Sequence, residues 1–189
     1  DGTKIHNLTG SKITDFYQKD EFLSTIENNC ASISKAEVIY HLGACSATTE
    51  WDGEYLHYNN YRYSQKLFQF ANRNNIKFIY ASSASVYGLG NNGFIEKPEC
   101  EKPINAYAYF KWLFDNYVRN EASLKIIFSG FRFFNVYGPG ESHKYKMASV
   151  VKHFYDTAID SKTISLFGAS PGYPAGEQKR DFIHVDDCI

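Results

Sequence analysis

Short runs of consecutive apolar residues alternate along the chain with longer stretches in which apolar positions recur at helical spacing. Val38-Ile39-Tyr40-His41-Leu42-Gly43-Ala44 is one such run, ending in small residues; Ile76 to Tyr80, closing on Ala81-Ser82-Ser83, is the next. Lys125 to Phe134 predicts a further strand and Asp181 to His184 a last one, with shorter candidates at Lys12 to Phe16 and Ile164 to Phe167. Between them the spacing predicts helices over Asp20 to Asn29 (Asp20 as N-cap, with Phe22, Leu23 and Ile26 on one face), Glu50 to Asn74, Ala106 to Glu121 and Met147 to Ile159. Asp186 and Asp187 read as the N-cap of another helix, and the stretches Gly88 to Pro103 and Ser170 to Gln178, rich in glycine and proline, read as loops. Continuous apolar strands alternating with helices predict an α/β fold: a Rossmann-like, doubly wound parallel sheet covered on both faces. No repeat or low-complexity tract interrupts this order.

Composition narrows the picture. A chain of 189 residues with 43% apolar and 22% charged residues can bury a core and is not a disordered segment. Twenty basic against twenty-one acidic side chains leave a net charge of −1. This removes the electrostatic case for broad nucleic-acid or anionic-membrane binding, though not for a local basic pocket. No apolar run has the length of a membrane span, and no signal segment opens the chain. Cys30, Cys45, Cys100 and Cys188 form no C-x-x-C pair and suit neither a zinc ribbon nor a disulfide scaffold, so they read as reduced thiols of a cytoplasmic protein. The start at Asp1-Gly2-Thr3, without methionine, and the stop at Ile189 read as those of a fragment lacking its first strands and glycine loop.

Gly88-Leu89-Gly90-Asn91-Asn92-Gly93 matches a dinucleotide fingerprint letter for letter. The phosphate-binding mechanism requires those glycines to leave a strand and open a helix; here Pro98 and Pro103 follow without helical periodicity, so the stretch reads as a loop. The chemistry is elsewhere. Ser83 closes a predicted strand, where sites of parallel sheets gather. Tyr107 and Lys111 stand four apart, on one face of the following helix. A lysine ammonium beside a tyrosine favours the phenolate, and a serine hydroxyl can hold a substrate alcohol, which together make a device for proton removal while a hydride leaves the same carbon. The competing reading is a surface Tyr/Lys pair and a strand-capping serine. His41 and Cys45 are read as packing near a cofactor and not as a nucleophile pair, Trp51 and Trp112 as packing residues, and the scattered histidines as no metal set.

Beyond the serine, tyrosine and lysine, His41-Leu42-Gly43-Ala44-Cys45-Ser46-Ala47-Thr48-Thr49-Glu50-Trp51-Asp52-Gly53, Arg132-Phe133-Phe134-Asn135-Val136-Tyr137-Gly138-Pro139, Glu141-Ser142-His143-Lys144, Met147-Ala148-Ser149-Val150 and Lys179-Arg180-Asp181-Phe182 follow one another in order. In these motifs the chain resembles the extended short-chain dehydrogenase/reductase superfamily, and within it the ADP-heptose 6-epimerase family. The resemblance implies transient oxidation of C6 of the heptose in ADP-D-glycero-D-manno-heptose to a ketone, and its re-reduction on bound NADP, for the inner core of lipopolysaccharide. It implies Tyr107 and Lys144 as the acid/base pair, with Ser83 and Lys111 assisting. Leu42, Gly43, Ala44, Cys45, Ser46, Asn59, Lys111, Val136 and Lys144 would line the cofactor. Asn135, Lys146, His153, Phe167, Gly168, Ala169, Ser170 and Arg180, besides Ser83, would meet the substrate. A guanidinium at Arg180 also suits a diphosphate on its own chemistry, the competing reading being an ion pair with Asp181.

The resemblance further implies a homo-oligomer, a pentamer, with an incomplete dinucleotide-binding domain over residues 1–136 and a partial substrate-binding region over 137–189. Phe110, where the family carries a small residue, would face the core beside Phe114 or crowd the nicotinamide. Leu42, Gly140, Lys146 and a long Ser170 to Gln178 loop are the other departures. The alternatives are another nucleotide-sugar epimerase or dehydratase using NAD, or a dinucleotide-sensing protein without catalysis.

Overall fold

The structure is a computed structural model and describes residues 2–28, 33–170 and 172–189. Asn29 and Cys30, drawn into the readings above, and one position of the 170–178 loop lie outside the described residues. Thr14–Phe133 forms one compact unit; the residues up to Ile13 with Phe134–Ile189 form another.

The first unit is built on a parallel sheet of β1 (Val38–His41), β2 (Lys77–Ser83) and β3 (Phe128–Phe133), in the order β1-β2-β3. Parallel neighbours require crossovers, and both are helical. From β1 the chain passes through α2 (Gly53–Leu56), a π-helical turn (His57–Arg62) and α3 (Tyr63–Asn74) into β2; α4 (Ala106–Asn120) joins β2 to β3. Local chemistry sets the ends. Asn105 caps α4 by accepting from the Ala108 amide at 2.8 Å, Asp52 caps α2 in the same way, and Asn75 ends α3 in the left-handed conformation.

Alternate residues of β2, Phe78, Tyr80 and Ser82, are buried. Phe78 and Tyr80 pack with Leu67, Phe68 and Phe70 of α3, Phe114 and Val118 of α4, and Leu23 and Ile26 of α1 (Lys19–Glu27). Phe68 meets Phe78 edge-on at 5.3 Å, and Tyr80 meets Phe114 in the same manner at 5.0 Å. Gly130 of β3 pairs with Tyr80, and a Cβ there would stand 2.3 Å from its ring. Only glycine leaves room for that phenol to lie across the sheet and donate to Asp115 at 3.0 Å. On the other face of the sheet Tyr40 and Phe131 are exposed.

The second unit holds a parallel pair, β4 (Asn135–Tyr137) and β5 (Phe182–His184), a 3-10 segment Ser142–Met147, and α5 (Val150–Ser161), capped by Ser149.

The parallel α/β architecture is the one the periodicity predicts; several boundaries differ. Lys12 to Phe16 and Ile164 to Phe167 form no strand, having no ladder partner among the described residues. The expected strand Lys125 to Phe134 starts only at Phe128, and the apolar stretch continues past Phe134 as β4, in a second sheet. Asp20 is not an N-cap: Gln18 holds that position, and Asp20 accepts from the Tyr58 hydroxyl at 2.9 Å. Asp186 and Asp187 lie inside a 3-10 turn, Val185–Cys188, capped by His184. Trp51, read as a packing residue, is exposed, whereas Trp112 is half-buried and donates to Glu101 at 3.0 Å.

Gly130→Ala should force the Tyr80 ring aside and lower stability by about 1–3 kcal/mol, the usual cost of overpacking a tight core. The thermal unfolding midpoint of the intact protein measures it; an unchanged midpoint would mean that Tyr80 has room to spare.

Candidate functional site

The carboxyl ends of β1 and β2 carry the first group of chemically capable residues. Ser83 ends β2 and caps the 3-10 turn Ala84–Tyr87, its Oγ accepting from Ser85 N at 3.2 Å and from Ser85 Oγ at 2.8 Å. Tyr107, in the first turn of α4, is buried. Burial pushes its phenol above the ordinary tyrosine value, a hydrogen bond with Ser83 pulls it back, and the nearby Cys45 thiol adds to the rise. One turn on, Lys111 is buried and donates to the Ala81 carbonyl at 2.7 Å. Burial lowers that ammonium to about 8, with the Asp115 carboxylate opposing the fall. The sequence pattern pointed to a lysine that depresses the tyrosine. Here Lys111 is spent on a strand carbonyl, and dehydration dominates Tyr107.

The α4 stripe continues to Asp115, whose carboxylate accepts from Tyr80 at 3.0 Å, Ser82 at 2.8 Å and Arg132 at 3.2 Å. Burial nevertheless raises its pKa. Arg132 also pairs with Glu101, which Arg119 and Trp112 bind as well. Glu101 and Asp115 escaped the sequence reading, although Tyr107, Lys111 and Asp115 recur every four residues on an otherwise aromatic helix.

The segment after β1 has an open crest and a fixed base. Leu42 and Gly43 are exposed, and a Cβ on Gly43 would meet nothing within 4 Å. Ala44, at the bend, and Cys45 are half-buried, and Ser46 is exposed. Asn59 is buried in the π-helical turn, donating to Tyr55 O at 2.7 Å and accepting from Lys19 Nζ at 2.6 Å. His41 and Cys45 do not share a strand face, because β1 stops at His41. His41 Nε2 instead lies 2.7 Å from Ser64 Oγ. Burial, helped by the Lys111 ammonium, lowers His41 to about 3. Phe110 packs against the ring of His57 at 5.7 Å. The glycines of Gly88-Leu89-Gly90-Asn91-Asn92-Gly93 turn in a loop and open no helix.

The second unit gathers the remaining residues differently. Asn135 donates from its backbone and side chain to Asp181 O, and Val136 is half-buried beside it on β4. Glu141 is buried, accepting from Gly138 N at 3.1 Å and from Ser149 N at 2.7 Å, with Lys144 Nζ 3.9 Å away. Lys144 and Lys146 flank Tyr145, a non-glycine residue at φ +47, and both are exposed. His153 is exposed on α5. Phe167 is exposed yet touches Phe154 of α5, ring to ring, at 6.1 Å. Gln178 ties the following loop by donating to Gly168 O at 2.7 Å; Ala169 and Ser170 lie exposed within it. Arg180 donates to Lys179 O and, among the described residues, makes no ion pair with Asp181.

Among the described residues no three His, Cys, Asp or Glu side chains are arranged to hold a metal ion, and no helix is long and apolar enough to cross a membrane. Cys45, Cys100 and Cys188 are free thiols.

The sequence profile of the NAD dependent epimerase/dehydratase family matches residues 15–189. An ADP-L-glycero-D-manno-heptose-6-epimerase of Alkalilimnicola ehrlichii is 49% identical over 191 residues, covering 100% of this chain and 58% of the relative. The chain spans about half the length of the curated relatives it matches. Among solved structures, the Helicobacter pylori ADP-L-glycero-D-manno-heptose-6-epimerase superposes with a TM-score of 0.72 at 33% identity, over 84% of this chain and 49% of that one. A UDP-glucuronic acid 4-epimerase from Bacillus cereus, in complex with UDP-glucuronic acid and NAD, does so with a TM-score of 0.65 at 26% identity, over 86% and 51%.

His41 gives this region a pH dependence. The unfolded chain takes up the imidazole proton below about 6.5, the folded chain only near 3, so native stability falls as pH drops through that window. Each pH unit costs up to about 1.4 kcal/mol. His41→Gln should flatten the unfolding free energy between pH 6.5 and 4; a slope equal to the parent's would show that His41 is not the group withholding its proton.

Proposed function

The chain belongs to the NAD dependent epimerase/dehydratase family, and on that premise we propose that the protein containing it is an isomerase that inverts C6 of the heptose in ADP-D-glycero-D-manno-heptose, using NADP. The observation that carries this reading is the buried Tyr107 phenol beside Ser83 at the carboxyl end of β2, where the serine pulls its pKa down, with Lys111 buried one turn further along the same helix face. The nearly 50% identical relative named for this activity narrows the substrate.

The exposed crest of Leu42 and Gly43, open above a fixed base, suits a nicotinamide dinucleotide, and Ala44, Cys45, Ser46, Asn59, Lys111 and Val136 would hold it. When bound, it would supply a hydride acceptor and donor for C6. Ser83 holds the C6 hydroxyl, and Tyr107 removes its proton as C6 becomes planar. Lys111, held by the Ala81 carbonyl one turn on, would line the cofactor, whose oxidised ring would favour the phenolate that burial disfavours. After the sugar re-orients, Lys144 serves as the acid/base group for the opposite face, so that C6 is inverted with no net redox. Asn135, Lys146, His153, Phe167 to Ser170 and Arg180 bind the ADP-sugar, the guanidinium matching its diphosphate. In this reading most of the cofactor residues belong to the first unit and most of the substrate residues to the second. The protein works in the cytoplasm as a homo-oligomer, a pentamer, ahead of lipopolysaccharide inner-core assembly.

The intact protein, given ADP-D-glycero-D-manno-heptose, should yield the L-glycero epimer. An unaltered C6 configuration with dinucleotide demonstrably bound would shift the assignment to another nucleotide sugar. Tyr107→Phe should lower kcat by roughly 10²–10⁴, the usual worth of a positioned acid/base group, with dinucleotide affinity kept; full turnover would assign the base elsewhere. Lys144→Ala should slow one direction of epimerisation of a substrate analogue more than the other, and an equal rate in both would remove Lys144 from the mechanism.

A further inference from the structure

Between β1 and α2 the chain makes a bend whose two feet are tied to one helix. At the first foot, His41 Nε2 lies 2.7 Å from Ser64 Oγ. At the second, the Asn60 side-chain amide closes on the Cys45 peptide from both sides: Cys45 N donates to Asn60 Oδ1 and Asn60 Nδ2 donates to Cys45 O, each at 2.9 Å. Asn60 and Ser64 are four apart and nearly inaccessible, and the Ser64 hydroxyl donates to Asn60 O at 3.1 Å, so the two ties form one buried chain. The crest between them, Leu42 and Gly43, is exposed.

The helix is adapted to this task. Adjacent residues of an α-helix do not share a face, yet Asn59 and Asn60 are both buried. They sit within the π-helical turn His57–Arg62, whose wider spacing brings two consecutive amides inward. Such turns cost regular hydrogen bonding and concentrate at functional sites. Asn59 serves Lys19 and the helix itself; among the described residues, the Asn60 side chain serves the peptide of the bend, and its carbonyl accepts from Ser64.

We propose that Asn60 is a positioning residue for the dinucleotide: by gripping both polar groups of the Cys45 peptide it fixes the 42–46 bend in its binding shape before the cofactor arrives. The assignment rests on the reading of this bend as the cofactor cradle. A pre-formed cradle spares the ligand the entropy of ordering it, so the loss of Asn60 falls on affinity and not on the chemical step. Asn60 itself need not touch the ligand.

The test uses the intact protein with NADPH, and NADH in parallel, titrated by nicotinamide fluorescence, together with amide hydrogen exchange. In the parent, Cys45 N–H should be protected without dinucleotide, and Gly43 N–H should gain protection only on its addition. Asn60→Ala should expose Cys45 N–H, leave exchange around Phe68 and Phe78 unchanged, and weaken dinucleotide binding at least fivefold, with kcat at saturation altered less than threefold. Asn60→Asp, which keeps the volume and the acceptor but loses the donor to Cys45 O, should weaken it in the same direction. The proposal is overturned if a folded variant binds within fivefold of the parent, if kcat falls while affinity holds, or if Cys45 N–H in the parent becomes protected only after dinucleotide is added. That last measurement decides the matter even where neither variant folds. A parent that protects Cys45 N–H but binds neither dinucleotide sinks the functional reading, and the cofactor role with it, while the clasp stands as structure.

Discussion

One face of α4 carries a phenol, an ammonium and a carboxylate into a water-poor interface with β2, and much of the first unit is arranged so that this can be tolerated. Tyr107, Lys111 and Asp115 descend the helix a turn at a time. They meet Ser83, the Ala81 carbonyl, and the Tyr80 and Ser82 hydroxyls respectively, so the polar register of the helix matches that of the strand. Burying a charge is unfavourable unless it is paired and hydrogen-bonded. Asp115 meets that demand with three kinds of donor and Lys111 with one carbonyl, yet burial still disfavours both charges, pushing the carboxyl up and the ammonium down to about 8. A slip of α4 by one residue would strand all three groups at once.

Packing enforces the register. Gly130 gives the Tyr80 ring its space, Phe114 wedges against Tyr80 and Phe68, and Arg132 reaches from β3 to both Asp115 and Glu101. The network is therefore poor evidence for stability in itself, since well-packed apolar side chains could do as well. What it supplies is a single permitted alignment of helix on strand, and hence a fixed distance between Ser83 and Tyr107.

The Tyr107–Lys111 stripe was legible because both residues sit in a helix with a strong N-cap, after a strand ending in serines. The bend at Leu42 to Ser46 was legible as a strand end with small residues. Its support was not, because Asn60 and Ser64 act through the buried side of a π-helical turn, and a 3.6-residue period has no term for such a turn. Lys12 to Phe16 and Ile164 to Phe167 misled for another reason: apolar alternation shows that a segment could pair, and the partner strand is a tertiary fact. The break at Phe134 was hidden because both sides of it are equally apolar, although they belong to different sheets. Trp51 was misjudged because size and hydrophobicity predict burial only on average.

The two units hold their polar residues in opposite ways. In Thr14–Phe133 Asn59, Tyr107 and Lys111 are buried on helical elements, Asn59 and Lys111 held by short hydrogen bonds, beneath the exposed Leu42 and Gly43 crest of the 42–46 bend. In the other unit Lys144, Lys146 and Arg180 are exposed on turns or loops and His153 is exposed on α5, with Glu141 near Lys144. Chemistry that depends on a phenol and a serine at bonding distance gains most from rigid supports, because small misplacements are costly. Recognition of a large, flexible, charged ligand gains more from long side chains that adjust to it, at an entropic cost the ligand's own contacts must offset. The proposed reaction, which would have to release, turn and recapture the same sugar, would ask for both: a fixed place where the proton moves, and a grip loose enough to let the sugar present its other face.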